Sequence, residues 1–200
     1  MKKLAIIGIL LIVGLSSVNA QGLYFDVGIG VGRAWTRVDG ENIASSYRSA
    51  GINLTQFGVD LGLKAGYGPI ANMPLYVVGA FSAMAHRMFD RDDDYIQFNS
   101  FVIGPGVIYY PIPLIQLAGS VGYAFSRNST SLSFMEMYRS TRGFGWDISA
   151  AVDLGPRNHG VLLGLRYAMA ITTLEVSRAT QNQSGLTVFA RYAFRHRMSQ

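Results

Sequence analysis

The sequence predicts an all-β protein, an eight-stranded antiparallel up-and-down transmembrane β-barrel with short periplasmic turns and long extracellular loops. Three observations support this fold class. An export leader begins the chain, apolar side chains alternate with glycine and polar residues in about eight segments, and short connections alternate with long ones. Alternation with a period of two is typical of strands that have one apolar face.

The first residues have the three parts of a secretory signal peptide. Lys2 and Lys3 give a basic start, residues 4–15 form an unbroken apolar run, and Val18 and Ala20 occupy the small-residue positions before a cleavage site. The run is shorter than the roughly 20 residues that a membrane-spanning helix needs. We therefore expect residues 1–20 to be a cleaved signal peptide and residues 21–200 to form the barrel.

The composition excludes a nucleic-acid binder and a disulfide-stabilised domain. Without Lys2 and Lys3, 15 basic side chains remain against 12 acidic ones, and they are scattered along the chain. The chain has no cysteine. Only 14% of its residues are charged while 50% are hydrophobic, against about 25% charged residues in soluble domains. Apolar surface on this scale must be covered by something other than water.

The first predicted strand, at about residues 25–35, shows the pattern most clearly. One face carries large apolar side chains and the other carries Asp26, Gly28, Gly30, Gly32 and Ala34. The other seven predicted strands cover about residues 57–67, 75–85, 97–110, 116–125, 143–154, 161–172 and 186–194. The alternation is unclear only in the fourth, around residues 98–102.

The connections between these strands are of two kinds. Residues 68–74, 111–113 and 155–159 are short and contain proline, which ends a strand because it cannot donate to the ladder. Residues 36–55, 86–95, 127–142 and 173–185 are longer and polar. Short turns at one end and long loops at the other are typical of outer-membrane barrels. A soluble barrel with its apolar face inward is the alternative, but it would expose the glycine-rich face to water.

These features resemble the small bacterial outer-membrane β-barrel family of Gram-negative bacteria. The family includes the outer-membrane-protein-X-like and opacity-like proteins and the transmembrane domain of outer-membrane protein A. The resemblance implies insertion by the barrel-assembly machinery, whose C-terminal signal matches Thr187, Tyr192 and Phe194. Phe189 departs from that signal because it stands where glycine is usual, and residues 195–200 extend beyond the last aromatic residue.

Charged residues on the glycine-bearing face are expected to form an ion network in the lumen. An eight-stranded barrel is generally just wide enough for side chains to fill, and buried charges require partners. The network is therefore expected to be a plug, although a narrow path lined by the same residues remains open. Asp26, Lys64 and Arg191 should converge at the periplasmic end. The candidate network contains Asp26, Asp60, Lys64, Asp147, Asp153, Arg166 and Arg191.

The residue pattern predicts no enzyme, cofactor or metal. His159 falls in a periplasmic turn, His196 follows the last strand, and His86 at the outer end of the third strand has no nucleophile beside it in sequence.

An acidic cluster lies in the second outer loop. Asp90, Asp92, Asp93 and Asp94 lack the glycine and the distal glutamate of an EF-hand, so we interpret them as a solvated loop tip. A looser cation site there stays open.

Two functions are consistent with this sequence. The first is a structural or surface-interaction role, adhesion-like, through the extracellular loops, and the alternative is a narrow channel for small solutes across the outer membrane. Arginines near the outer side suit the phosphates of outer-membrane lipid and lipopolysaccharide. The expected partners are these lipids, the barrel-assembly machinery and a host or environmental surface ligand, with no nucleic acid.

Overall fold

The computed structural model describes residues 22–70, 73–90, 94–131, 139–140, 142–155, 158–175 and 177–195. The predicted signal peptide, residues 1–20, lies outside the described residues, as do Asp92, Asp93 and His196. The described residues contain eight long strands: β1 (Leu23–Val38), β2 (Thr55–Tyr67), β3 (Leu75–Phe89), β4 (Tyr95–Ile112), β5 (Ile115–Arg127), β6 (Arg142–Asp153), β7 (His159–Thr173) and β8 (Thr180–Arg195).

Each strand pairs antiparallel with its neighbours in the chain, and β1 also pairs with β8. The β1–β8 ladder runs from Tyr24 opposite Arg195 to Val38 opposite Gln181. The sheet is therefore closed, and no long strand has an unpaired edge. Closure is required in lipid because no water is available to bond exposed N–H and C=O groups. The predicted eight-stranded up-and-down barrel is confirmed.

The strands extend further toward the outer side than the sequence pattern predicted. β1 continues to Val38, β3 to Phe89, and β8 begins at Thr180. These ends carry polar side chains because they lie beyond the apolar band, so the period-two hydrophobic signal is lost there while the ladder continues. Part of each predicted outer loop is therefore strand.

The outer connections contain three short strands and one helix among the described residues. The short strands are Glu41–Asn42, Ser129–Thr130 and Arg139–Ser140. Helix α1 (Ile43–Ser49) begins at Asn42, whose side-chain oxygen accepts a hydrogen bond from the Ser45 amide at 3.2 Å. No helix in the described part of the chain is long and apolar enough to cross a membrane.

The two faces of the sheet differ sharply in exposure. Outward side chains such as Ile29, Ile148 and Val188 are between 56% and 61% exposed, whereas inward Asp26 and Arg166 are at most 2% exposed. A continuous apolar outer surface on a closed barrel is the surface that lipid covers. The inward face also carries apolar residues. In β4, where the sequence alternation was unclear, Phe98 and Val102 face the lumen.

We predict that an arginine on the outer face destabilises the barrel according to its depth. Val188→Arg, at the middle of β8, should cost about 2–4 kcal/mol, because it places a charge in the bilayer centre. Thr173→Arg, at the outer end of β7, is the matched control and should cost about 0–1 kcal/mol. Urea unfolding of barrels folded into lipid vesicles measures both. Equal costs at the two positions would contradict the assignment of this face to lipid.

Candidate functional site in the lumen and at the outer mouth

Arg166 on β7 is the centre of the lumen's charge network. Its Nη1 lies 3.2 Å from Asp60 Oδ1 on β2, and its Nη2 lies 3.3 Å from Asp147 Oδ2 on β6. Lys64 Nζ approaches the same Asp147 carboxylate at 3.9 Å. One guanidinium thus connects two carboxylates from different parts of the barrel wall, with a lysine beside one of them.

A hydroxyl group donates a hydrogen bond to one oxygen of each carboxylate. Ser120 Oγ donates to Asp147 Oδ2 at 2.5 Å, and the Thr187 hydroxyl donates to Asp60. All of these side chains are at most 6% exposed. Asp60 and Asp147 thus each have an ion-pair partner and a hydroxyl hydrogen bond, which lowers the cost of burying their charges.

A second ion pair lies nearer the periplasmic end. Arg191 Nη1 lies 3.8 Å from Asp26 Oδ1, and the Arg191 guanidinium also covers the ring of Phe189 at 4.3 Å. Tyr24 donates its hydroxyl hydrogen to Asp26 Oδ2 at 2.7 Å. Gln116 in turn donates to the Tyr24 hydroxyl oxygen at 2.9 Å, so a neutral hydrogen-bonded layer follows the ion pair.

A third ion pair closes the periplasmic end. Arg195, the last residue of β8, pairs with Asp153, and its Nη2 donates to the Gly155 carbonyl at 3.2 Å. The guanidinium lies 5.3 Å from the ring centre of Tyr110, whose hydroxyl accepts a hydrogen bond from Gln116 at 2.8 Å.

The structure places all seven predicted network residues in the lumen, but their partners differ in two respects from the expectation. Asp26 forms an ion pair with Arg191, and Lys64 is opposite Asp26 in the β1–β2 ladder but forms its own ion pair with Asp147. Asp153 pairs with Arg195, a residue that follows the last aromatic residue of the chain and was not among the seven expected network residues. The alternation of β8 could have revealed Arg195, because it shares a face with Arg191.

Glycines leave room for these long side chains. An added Cβ at Gly62 would lie 2.7 Å from Arg191 Nη2, and one at Gly30 would overlap the Asp60 carboxylate. Phe189 is opposite Gly30 on β1 and Gly164 on β7. The inward glycines of neighbouring strands thus provide the volume that the charged groups and Phe189 occupy.

Uncharged polar side chains occupy the outer part of the lumen. Thr36 Oγ1 and His86 Nδ1 are 2.8 Å apart, and both residues are 1% exposed. Asn128 Nδ2 donates to Gln181 Oε1 at 2.7 Å. Gln183 Nε2 donates to the Phe98 carbonyl at 3.0 Å and to the Met84 carbonyl at 3.2 Å. His86 therefore lies inside a strand and inside the lumen, not at a solvated rim.

The described part of the acidic loop is a small hydrogen-bonded turn. Asp90 Oδ1 accepts from the Asp94 amide at 3.1 Å, and Asp94 Oδ1 accepts from Ser131 Oγ at 3.0 Å. Within the described residues, no group of three or more His, Cys, Asp or Glu side chains could hold a metal ion.

The three predicted assembly-signal residues lie on opposite faces of β8. Tyr192 and Phe194 face outward and are 51% and 41% exposed, while Thr187 faces the lumen and donates to Asp60. Tyr192 stacks on His159 of β7, with ring centres 6.4 Å apart. The role of these residues in assembly stays a prediction.

The architecture is similar to those of known bacterial surface proteins. One is Ail, the attachment invasion locus protein of Yersinia pestis, in a crystal structure with the heparin analogue sucrose octasulfate. The TM-score is 0.55 and the sequence identity is 15%, and the match covers 87% of this chain and all of the Ail chain. A second crystal structure of Ail gives 0.54 at 14% identity, covering 86% and 98%. Neisserial surface protein A gives 0.53 at 16% identity, covering 89% and 99%.

No protein-family model matches the chain, and no curated protein matches it in sequence. The structural similarity establishes the fold, that of the small bacterial outer-membrane β-barrels. The resemblance stated from the sequence is thereby confirmed. The exposed apolar band on the closed sheet agrees with a location in the outer membrane.

We predict that Asp26→Ala destabilises the barrel by about 3–5 kcal/mol, because it leaves the Arg191 guanidinium buried without its carboxylate. The double variant Asp26→Ala with Arg191→Met should be less destabilised than Asp26→Ala alone, since no buried charge is then uncompensated. Exposed Glu41→Gln is the control and should have little effect. Urea unfolding in vesicles gives the three values, and a double variant less stable than the single one would refute the pairing.

We predict that Tyr192→Ser combined with Phe194→Ser lowers the yield of assembled barrel in the outer membrane. Both side chains lie on the outer face of the last strand, where we expect the assembly signal to be read. The matched control is Val27→Ser with Phe25→Ser, which removes the outward apolar side chains of β1 that lie opposite Tyr192 and Phe194. Heat-modifiable migration of membrane fractions measures assembly. If both pairs of replacements lowered the yield of assembled barrel equally, loss of lipid contact would explain the result and no assembly signal would be needed.

Proposed function

We propose that this outer-membrane β-barrel is a closed barrel that acts as a structural and surface-interaction protein through its extracellular loops. The observation that carries the proposal is the filled lumen. Four acidic and four basic side chains are buried in the described part of the lumen, in equal number and in contact with one another. A solute would have to break these ion pairs to pass.

Three layers support a closed lumen. Tyr24, Tyr76 and Tyr110 form an aromatic cluster at the periplasmic side, with ring centres 5.3 and 5.9 Å apart. The ion network fills the middle, and the amide groups of Gln181 and Asn128 bond across the outer part. A path opens only if all three layers are displaced. Each displacement separates buried polar groups from their hydrogen-bond partners, which is energetically costly.

The outward arginines support binding to outer-membrane lipid and lipopolysaccharide. Arg33 and Arg37 of β1 and Arg87 of β3 are exposed on the outer face near the extracellular rim. The Arg33 guanidinium lies 5.8 Å from the Trp35 ring, and that of Arg87 lies 4.1 Å from the Tyr95 ring. Aromatic rings at this level are typical of membrane interfaces, and guanidinium groups pair bidentately with phosphate.

The outer loops are the proposed surface for a host or environmental ligand. Arg48 on α1, Arg139 and Arg178 are exposed among the described loop residues. Recognition residues commonly lie on loops that a rigid scaffold holds in place. Ail, which shares this fold, is seen with a heparin analogue, and these exposed arginines support an anionic ligand here.

We infer that the protein does not act as an enzyme. Thr36 and His86 combine a hydroxyl with an imidazole, the residue types of a nucleophile and its base. Both are 1% exposed, and the His86 ring lies next to Phe98 in the lumen, with ring centres 6.4 Å apart. A substrate has no access to this pair, so its hydrogen bond supports the outer lumen instead.

We predict that the purified barrel in a planar bilayer shows no steady ion conductance. We expect the paired charges and the aromatic cluster to block a continuous aqueous path, whereas an open porin measured in the same bilayer should conduct. Reproducible single-channel steps that change with Asp60→Asn or Arg166→Gln would overturn the closed-barrel proposal and favour the narrow channel.

The surface role is tested with the purified barrel in lipid vesicles, and immobilised heparin is the probe. Vesicles with the wild-type barrel should be retained, and retention should fall when Arg48, Arg139 and Arg178 are replaced by glutamine. Replacement of the exposed α1 residues Ser45, Ser46 and Ser49 by alanine is the matched control and should leave retention unchanged. Unchanged retention after the arginine replacements would exclude these residues as the contact surface.

A further inference from the structure

An apolar cavity of about 330 Å³ lies at the extracellular mouth of the barrel, separate from the ion network. Its walls come from helix α1, the outer ends of β1 and β4, and the connections after β5 and β7. The described lining consists of Val38, Ile43, Tyr47, Ile96, Phe98, Asn128, Ser129, Thr130, Leu174, Ser177 and Ala179.

Helix α1 forms one wall of the cavity because it has an apolar side and a polar side. Ile43 and Tyr47 are four residues apart, so they lie on one side of the helix, and both line the cavity. Ser45, Ser46, Arg48 and Ser49 are exposed to solvent. The apolar side of the helix therefore faces the cavity and not a packed core.

Hydrogen bonds between loops hold the cavity in shape. The Asp39 amide donates to the Thr180 carbonyl at 2.9 Å, and Asp39 Oδ1 accepts from the Thr180 amide at 2.7 Å. The Leu174 amide donates to the Ala179 carbonyl at 2.9 Å. The two Asp39–Thr180 bonds join the first outer connection to the start of β8, and the Leu174–Ala179 bond closes the fourth connection on itself. The walls are therefore positioned before any ligand arrives, as is usual for small-molecule sites.

The lining defines the chemistry of an occupant. None of the described lining residues is charged, and most of the surface is aliphatic or aromatic. The polar side chains of the described lining are those of Asn128, Ser129, Thr130 and Ser177, together with the hydroxyl group of Tyr47. A charged ligand would lose its hydration and find no opposite charge in the described lining, whereas an apolar body gains by leaving water.

The cavity ends where the lumen begins. Asn128 is 5% exposed and bonds to Gln181, which is 1% exposed. The Phe98 carbonyl accepts from Gln183 at 3.0 Å. These amides separate the cavity from the ion network, so an occupant would be held at the cell surface and not passed inward.

We propose that this cavity binds one small neutral amphiphile, with an apolar body in the cavity and a single hydrogen-bonding group at the Asn128 end. About 330 Å³ accommodates about eleven water-sized groups of about 30 Å³ each, which corresponds to a ligand of about ten non-hydrogen atoms. This site does not depend on whether the loops bind heparin or whether the lumen conducts.

Photolabelling tests the proposal on the full-length mature barrel in lipid nanodiscs. The probe is nonyl alcohol with a diazirine on its chain, and mass spectrometry locates the labelled peptides. Labelling of peptides that contain Tyr47 and Phe98 should saturate and should be displaced by unlabelled nonyl alcohol. Nonanoate should displace it about tenfold less effectively, because its carboxylate has no positive partner among the described lining residues. Outward residues such as Val188 should also be labelled, by probe dissolved in the lipid, and this labelling should not saturate.

Two variants locate the site. Ala179→Phe fills the cavity and should abolish the saturable labelling, while Ala50→Phe adds the same ring at an exposed position after α1 and should preserve it. Heat-modifiable migration verifies that both are folded. Labelling confined to lipid-facing residues, saturable labelling that survives in Ala179→Phe, or equal displacement by nonanoate would each overturn the proposal. If Ala179→Phe does not fold, displacement in the wild-type barrel alone decides the outcome.

Discussion

Closure of the hydrogen-bond ladder between β1 and β8 is the constraint on which the rest of this structure depends. In lipid every backbone N–H and C=O group must be bonded within the protein, and a sheet achieves this only when its two end strands meet. Fifteen residue pairs, from Tyr24 opposite Arg195 to Val38 opposite Gln181, join them here. With eight strands the circle is small, and a small circle determines how much side-chain volume the interior can hold.

The narrow interior explains why glycine and long charged side chains occur together. The Arg191 guanidinium occupies the space that a side chain at residue 62 would need, and the Asp60 carboxylate occupies the corresponding space at residue 30. Each charge in turn needs a partner, because water is excluded from the filled space. Removal of one glycine would displace a charged group, and removal of one charge would leave another uncompensated. The lumen therefore behaves as one unit.

The extracellular end combines two surfaces with opposite preferences. Exposed arginines such as Arg37 and Arg48 favour phosphate, sulfate or carboxylate groups. The mouth cavity beside Tyr47 and Phe98 has no charged residue in its described lining and favours an uncharged ligand. Helix α1 contributes to both, with Arg48 on its exposed side and Tyr47 on the cavity side. A change at one surface can thus be tested without removal of the other.

The sequence by itself determined the number of strands and, outside residues 98–102, the side of the sheet that the residues of each predicted strand face. This information is local, because side chains alternate along a strand whatever its neighbours are. It placed Asp26, Asp60, Lys64, Asp147, Asp153, Arg166 and Arg191 on the inner face. The outer ends of the strands were missed, since polar residues at the rim carry no period-two signal.

Only the tertiary structure decided which of these residues meet. Lys64 pairs with Asp147 and Arg195 with Asp153, because closure and register bring β2 toward β6 and β8 toward β6 across the lumen. The same applies to the mouth cavity, whose walls come from four separate stretches of chain. Contacts across a closed barrel depend on how far each strand is shifted against the next, and that shift is a property of the whole sheet, which no single segment encodes.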